Sequence, residues 1–341
     1  MSAPFLEVLA TPALNSVQDL GRPGQRRWGI GPTGMVDALA LQVGNALLGN
    51  APDAAGLELQ LFPVRLRVLR DGAIALTGAD CDARLDGRPV PPWWALPVRA
   101  GQVLELSPPG ATRRDLAAPA LRACLSVAGG IDVPEVLGSR ATHVRCAFGG
   151  LEGRALRAGD VLDAGAAQAP AFRDPAGFGA LPPATALPLG DDPEATTVRV
   201  IPAAEYPAFT DASHAAFWND PWRVTIQSDR MGMRLEGTTP LKRAVVQEMR
   251  SHGIVCGVVQ VPPGGHPIIQ LNDGNTAGGY PKMGVVIDPD LWRLAQLPPR
   301  RLLRFQRCDL AQARAAALEQ EDYLAGLRRL SALSLMTPEA A

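Results

Sequence analysis

The sequence predicts a mainly β protein of two domains, with a few short helices and an amphipathic helix near the C-terminal end. Three observations carry that reading. Short runs of alternating apolar residues, separated by Gly, Pro and Asp, recur along the chain at strand rather than helix spacing. The length of 341 residues is long for one compact core and suits two. Between two series of such runs, Ala164 to Thr197 is rich in Ala, Pro and Gly with little periodicity, the composition of a linker or a long surface excursion. The expected division is a β-rich domain over 1–163, the linker over 164–197, a small β-barrel or sandwich over 198–308, and a helix and tail over 309–341.

In chain order, Phe5–Leu9, Leu57–Leu61, Leu66–Leu69, Ala73–Thr77, Val103–Leu106 and Leu121–Val127 read as strands of the first domain. Asp86-Gly87 carries the residues of a tight hairpin turn, because both accept positive φ. A helix interrupts the strands in "MVDALALQVGNALLGN". Asp37 is its N-cap, Leu39, Val43, Ala46 and Leu47 share a face, and Gly49 ends it. A shorter helix is expected over Val133–Leu137. After the linker, strand-like runs resume at Val198–Ile201, Val224–Ile226, Ile254–Val261, Ile268–Leu271, Val285–Ile287 and Leu302–Phe305. Short helices are expected at Asp211–Trp218 and Asp290–Gln296, each opened by its Asp. Leu310, Ala317, Leu318, Leu324 and Leu327 fall at helical intervals in the C-terminal amphipathic helix, which is expected to pack on the second domain or on a partner.

A net charge of −1 and a pI near 6.4 argue against nucleic acid and anionic membranes as partners. Small molecules or proteins are expected instead. Cys81, Cys124, Cys146, Cys256 and Cys308 are scattered, with no Cys-x-x-Cys spacing and no zinc-ligand pattern, so no metal site is expected and the thiols suit a reducing cytoplasm. No signal peptide is expected at the N-terminus, and no apolar run approaches the ~20 residues of a membrane helix. A soluble cytoplasmic protein is expected.

Four stretches hold more polar and Gly residues than loops require. "NSVQDLGRPGQRRWGIGPTGMVD" gathers Gln18, Asp19, Arg22, Arg26 and Arg27 before a helix; it reads either as an anion site or as a turn stiffened by an Asp19–Arg22 pair. In "LSVAGGIDVPEVLGSR" the Gly129-Gly130 pair reads as structural. "QSDRMGMRLEG" places Arg230 and Met231 either in a surface hairpin or at a pocket wall. "NDGNTAGGYPKMG" sets Asp273, Thr276, Gly278, Gly279 and Lys282 between two apolar runs, either as a long hairpin loop or as recognition of a carboxylate-bearing, amide-containing small molecule. The sequence lacks a phosphate loop, a G-x-S-x-G elbow and a His pair at ligand spacing, and "PKMG" lacks the preceding Met of a biotin attachment site.

Together these stretches resemble one family. "SVQDLGRPG", "GMVDALALQVGNALLGN", "SVAGGIDVPEVLGSR" with "FGGLEGRALRAGD", "SDRMGMRLEG" and "IQLNDGNTAGGYPKMG" occur in the same order as in the biotin-dependent carboxyltransferase/allophanate hydrolase subunit 2 family, which includes the C subunit of 5-oxoprolinase. The similarity runs from about Ser16 to Phe305. It implies β-barrel-like domains, the C-terminal one cyclophilin-like. It also implies ATP-dependent opening of 5-oxo-L-proline to L-glutamate in a complex with two partners, a subunit-1-type homologue (the B subunit) and a third chain (the A subunit). ATP would be used by the complex, and no biotin would be attached to this chain.

Carried onto matching positions, the resemblance implies catalytic roles for Asp19, Arg230, Asp273 and Lys282. It implies substrate binding by Gln18, Arg22, Asp37, Asn45, Gln260, Thr276, Gly278, Gly279 and Tyr280. Arg22, Arg230 and Lys282 would bind anionic groups, and Asp273 or Asp19 would recognise a substrate N–H. The family loop commonly reads Gln-Thr-Thr-Gly-Gly-Tyr where this chain has Asn275, Thr276 and Ala277, which implies a drift in substrate preference. Two other readings stay open: half of a carboxyltransferase acting on a carboxybiotin or urea-derived substrate, and a module that binds and antagonises a kinase-inhibitor-like homologue of subunit 1.

Overall fold

A computed structural model of the chain describes residues 2–110, 120–165, 170–190, 192, 194–244 and 249–336. The chain divides into two units. Met1–Arg22, Thr33–Ala186 and Glu321–Ala341 form the first, and Pro23–Pro32 with Leu187–Gln320 form the second. Among the described residues no helix is long and apolar enough to cross a membrane.

The first unit is built on two antiparallel sheets. One runs in spatial order Ile131–Asp132, Val161–Ala164, Ala3–Ala10, Val64–Val68, Val103–Leu106, Arg84–Leu85, Arg88–Pro89; the other runs Phe178–Gly179, Trp94–Val98, Gly72–Gly78, Ala123–Val127, Gly56–Leu59, Ser16–Gln18. Val64–Val68 buries every second residue, because a strand alternates its faces and one of them is wet. Gly72–Gly78 is buried throughout, since its sheet packs on the core at one face and under helix α1 (Ala38–Leu48) at the other. Phe5, Leu66, Leu57, Leu76 and Leu125, drawn from both sheets, belong to one core.

Helix α1 starts and stops as its sequence predicts. Asp37 Oδ1 accepts from Ala40 N at 2.9 Å, and Gly49 stands at φ 70° beyond the last turn. Thr77 Oγ1 donates to Ala40 O at 2.8 Å, and a Cβ on Gly44 would stand 2.6 Å from Ser126 Oγ, so glycine sets how closely helix and sheet approach. Asp86 and Gly87 make the predicted hairpin turn at φ 49° and 77°. The helix expected over Val133–Leu137 does not form: Pro134 brings no N–H, Leu137 and Gly138 turn to φ 56° and 76°, and Val136 N donates forward to Ser139 O at 2.9 Å. Within the Ala/Pro-rich stretch, Phe178–Gly179 pairs with Trp94–Ala95, and Ala171–Phe172 pairs with Leu335–Met336.

The second unit is a closed seven-stranded barrel, as the spacing of its apolar runs allows. The order is Ala195–Pro202, Lys282–Val286, Val258–Gln260, Ile268–Gln270, Gly232–Glu236, Trp222–Val224, Leu302–Arg307. Leu302–Arg307 closes onto Ala195–Pro202 in parallel register, with Ala195 opposite Leu302 and Val200 opposite Arg307. Val198, Trp222, Met233, Val259, Ile269, Met283 and Phe305 fill the interior. The strand expected from Ile254 begins only at Val258, because Gly257 turns the chain at φ 84°.

Three helical expectations are corrected in detail. Helix α2 (Asp211–Asn219) is capped by Thr210, whose Oγ1 accepts from Ser213 N at 3.2 Å; Asp211 lies in the first turn, where its charge suits the helix dipole. Asp290 stands at the N-cap position of Leu291–Ala295, but its side chain makes no cap hydrogen bond. Its buried carboxylate instead accepts from Arg199 N at 2.7 Å and from both forks of the Arg199 guanidinium at 2.9 and 2.7 Å. In helix α3 (Leu310–Ser334) the buried residues are Ala316, Leu324, Leu327 and Ser331, whereas Leu310 and Leu318 are exposed, so the buried face is offset from the expected one.

Candidate functional site

The polar residues of the second unit gather at neighbouring strand ends of the barrel. Lys282 opens Lys282–Val286 and stands opposite Gln260 across the ladder, which puts both side chains on the same face. The chain's 33 basic residues include only two lysines, Lys242 and Lys282. Lys242 is exposed, and the Lys282 side chain is largely buried. Its Nζ donates to Glu205 Oε1 at 3.0 Å and also meets His252 Nε2. His252 Nδ1 lies 3.1 Å from Arg250 O, and its two-residue strand His252–Gly253 pairs with Ala277–Gly278.

Beside this group lie two buried amides. Gln270 Nε2 donates to Gln260 Oε1 at 3.0 Å, and Gln260 Nε2 is buried without a hydrogen-bond partner among the described residues. An orphaned buried donor of this kind costs about 1–3 kcal/mol. Gly278 stands next to it: a Cβ there would lie 2.6 Å from Gln260 Nε2. Gly274 approaches from the other side, where a Cβ would lie 2.8 Å from Gln270 Oε1. At both places a side chain would collide with an amide, so only glycine lets the backbone come this close.

One residue before Gly274, Asp273 receives Arg230 through two bonds, Nε to Oδ2 at 2.8 Å and Nη2 to Oδ1 at 3.2 Å, with both side chains about nine-tenths buried. Asp273 N donates to Arg230 O at 3.0 Å, so backbone and side chains fasten the two loops together. The strand-to-turn-to-strand course predicted for "QSDRMGMRLEG" is the one observed, with Gly232–Glu236 resuming the ladder. Arg230 with Asp273 and Lys282 with Glu205 balance their charges locally, which leaves the group suited to a neutral or singly charged ligand. Among the described residues no group of three His, Cys, Asp or Glu is arranged to hold a metal ion.

The remaining loop residues frame this group. Thr276 O accepts from Ile254 N at 3.0 Å, Gly279 packs near Met249 O, and Tyr280 is half exposed. Asn275 and Ala277, the departures from the family loop, are both exposed. Segment 23–32 belongs to this unit: Arg26 Nη1 donates to Ile254 O at 2.7 Å, and Gly31 packs against Gly274 O. Cys256 nearby has its thiol pushed up to about 12, chiefly by burial, with Arg26 pulling the other way.

The candidates of the first unit bond within their own fold, although Gln18 Oε1 is buried without a hydrogen-bond partner among the described residues. Asp19 Oδ1 accepts from Gly21 N and Ser139 Oγ, both at 2.7 Å, and Oδ2 accepts from Arg140 N. Arg22 Nη2 donates to Ala141 O, and its guanidinium lies 4.9 Å over the Phe148 ring. Gln18 Nε2 donates to Ser16 Oγ at 2.9 Å and Thr142 O at 3.0 Å. Asp37 caps helix α1, and Asn45 Nδ2 ties that helix to Ala54 O at 2.8 Å. These five hold loops together within the first unit, whereas Arg230, Gln260, Asp273, Gly278 and Lys282 form one connected group in the second.

Sequence reasoning missed Glu205 and His252. Both stand in stretches without motif character, and only the fold brings them to Lys282. A lysine retained in a chain that otherwise uses arginine was the available signal for the centre of the group.

Comparison with known proteins gives the relatives of the chain as a whole. Residues 28–307 match the family described as carboxyltransferase domain, subdomain A and B. The chain is 40% identical to the C subunit of 5-oxoprolinase from Escherichia coli (strain K12), over 94% of this chain and 96% of that protein. It is 38% identical to the C subunit of the Haemophilus influenzae 5-oxoprolinase, over 96% of this chain and 98% of that protein. The crystal structure of the K. lactis urea amidolyase superposes with a TM-score of 0.84 at 28% identity, covering 95% of this chain and 20% of that one.

Proposed function

Because the chain belongs to the carboxyltransferase-domain family, subdomain A and B, we propose that it is one component of an ATP-dependent 5-oxoprolinase that opens 5-oxo-L-proline to L-glutamate. The observation that carries this reading is the similarity to the C subunit of the Escherichia coli 5-oxoprolinase at 40% identity across nearly the full length of both chains. The enzyme is active in the cytoplasm as a hetero-oligomer that also contains the A and B subunits. The cyclophilin-like character implied for the C-terminal barrel belongs to the same reading.

Opening a lactam requires charge to develop on its carbonyl oxygen, and N–H donors fixed in a water-poor place stabilise that charge most effectively. Lys282 and Gln260 are such donors on adjacent strands. Asp273, clamped by Arg230, sets the loop that borders them and presents its carboxylate for a substrate N–H. The cations of the group do not suit a polyphosphate, since Lys282 and Arg230 are each neutralised by a carboxylate and the sequence lacks a phosphate loop. ATP is therefore assigned to the complex rather than to this group of residues. Biotin is likewise not assigned to this chain.

The test is reconstitution with the neighbouring subunits and an assay of ATP hydrolysis that depends on 5-oxo-L-proline. Dependence supports the reading, and its absence with all partners folded and assembled removes it. A second reading is favoured by the superposition on urea amidolyase: a carboxyltransferase half acting with a biotin carrier. Transfer from carboxybiotin to a urea-type acceptor by the same complex would establish that reading instead. Tight binding to a subunit-1 homologue with neither activity would point to the regulatory module.

A further inference from the structure

We propose that Gln260 Nε2 and Lys282 Nζ form a two-donor cradle for one carbonyl-type oxygen of a small ligand, and that Glu205 and His252 are positioning residues for the lysine. The proposal rests on the reading above only for the identity of the ligand. The cradle itself follows from the donors.

Gln260 is 4% exposed, and its Nε2 has no hydrogen-bond partner among the described residues while its Oε1 is occupied by Gln270. The amide's nitrogen end faces Gly278: the place of an absent Cβ there is 2.6 Å from Nε2 and 3.4 Å from Oε1. A buried N–H left without a partner calls for an acceptor. Lys282 is the directly opposed residue on the next strand, so its ammonium can reach the same oxygen.

The lysine is held for that purpose. Arg250 O can only accept, so at 3.1 Å His252 Nδ1 carries the proton and Nε2 turns its lone pair to Lys282, which can only donate. Glu205 Oε1 takes a second N–H at 3.0 Å. Of the three ammonium donors two are engaged by the protein, and the third is left for the ligand. An oxygen of a lactam or of a carboxylate meets both donors equally well, and the two are distinguished by the choice of probe.

The experiment uses the full chain, ¹⁵N-labelled, with the Gln260 side-chain amide signal assigned by its loss in Gln260→Leu. The probes are 5-oxo-L-proline, 2-pyrrolidinone, which has the lactam alone, and L-proline, which has the carboxylate alone. The expected result is that the Gln260 signal moves with 5-oxo-L-proline and with one of the two half-probes, which identifies the oxygen. Gly278→Ala sets a methyl 2.6 Å from Nε2, which displaces the amide, and is expected to weaken binding about tenfold or more, the factor set by one lost hydrogen bond. His252→Ala is expected to weaken binding and His252→Gln, which restores an acceptor, to recover it; a merely structural histidine would not be rescued in this way. A Gln260 signal unmoved by all three probes at millimolar concentration, or binding by Gly278→Ala equal to that of the native chain, overturns the proposal. Binding as expected in a chain whose reconstituted complex does not hydrolyse ATP with 5-oxo-L-proline leaves the cradle standing and removes the 5-oxoprolinase reading.

Discussion

Lys282 gains its character from three neighbours that its own stretch of chain does not announce, so its residue type was visible in advance and its setting was not. Asp273 and Arg230 were each legible as polar residues in loops, yet that they clamp one another depends on the barrel bringing the two loops side by side. The opposite holds in the first unit, where Gln18, Asp19 and Arg22 stood out in the sequence because a stiff loop needs buried partners for its backbone. Thiol reactivity tests the residue-level environment. Burial raises the Cys81, Cys124 and Cys256 thiols to about 12, so they stay protonated through the neutral and mildly alkaline range, and Cys81 and Cys124 are also buried from reagents. Cys146 is exposed. At pH 8 the native protein is expected to release one fast equivalent with a disulfide reagent, lost in Cys146→Ser, with Cys256 reacting slowly and the buried Cys81, Cys124 and Cys308 only on unfolding. Asp160 supplies a pH prediction. Burial would raise its pKa, but the bidentate Arg154 pair at 2.8 and 2.9 Å and the Arg157 N–H outweigh it and hold the carboxyl below its usual value. A depressed folded-state value contributes stability that is present above the unfolded pKa of about 3.9 and is lost as pH falls through the folded one. Urea midpoints of the native chain are therefore expected to fall on acidification below about pH 4 more steeply than those of Asp160→Asn.

Elements were read from the sequence where local rules decide them. Helix α1 has its cap, apolar face and terminal glycine within one stretch of chain, and the Asp86-Gly87 turn needs only its own two residues. The Val133–Leu137 reading failed because its apolar residues belong to a turn that opens with Pro134, and the Asp290 cap failed because Arg199, 91 residues away, competes for the carboxylate. Long-range pairing of that kind carries no local signature. Two substitutions test the helix–sheet contact. Asp37→Ala removes the cap and is expected to cost about 1 kcal/mol by chemical denaturation. Gly44→Ala places a methyl 2.6 Å from Ser126 Oγ, so an overpacking cost of about 1–3 kcal/mol outweighs the roughly 1 kcal/mol that alanine gains in a helix. In a Ser126→Ala background the cost is expected to shrink, because the oxygen at 2.6 Å is gone while the Cβ at 3.2 Å remains; an unchanged cost in the double variant would refute this packing explanation.

At the scale of the whole molecule, the β-rich character followed from the spacing of apolar runs, since period-two alternation survives without knowledge of the partners, while that spacing left barrel and sandwich open for the second unit. Which strand neighbours which did not follow. The parallel pairing of Ala195–Pro202 with Leu302–Arg307 joins stretches about a hundred residues apart, and the assignment of segment 23–32 to the second unit is equally non-local. The connected group around Lys282 is a product of that topology, and its participation in catalysis is the central claim. The decisive measurement is 5-oxo-L-proline-dependent ATP hydrolysis by the complex reconstituted with its partner subunits, comparing the native chain with Lys282→Ala, with assembly monitored in parallel. Turnover by the native complex is expected, with a loss of at least about a hundredfold in kcat/KM for Lys282→Ala in a complex that still assembles, the scale of removing one transition-state donor. Native-level turnover by the assembled Lys282→Ala complex would contradict that claim.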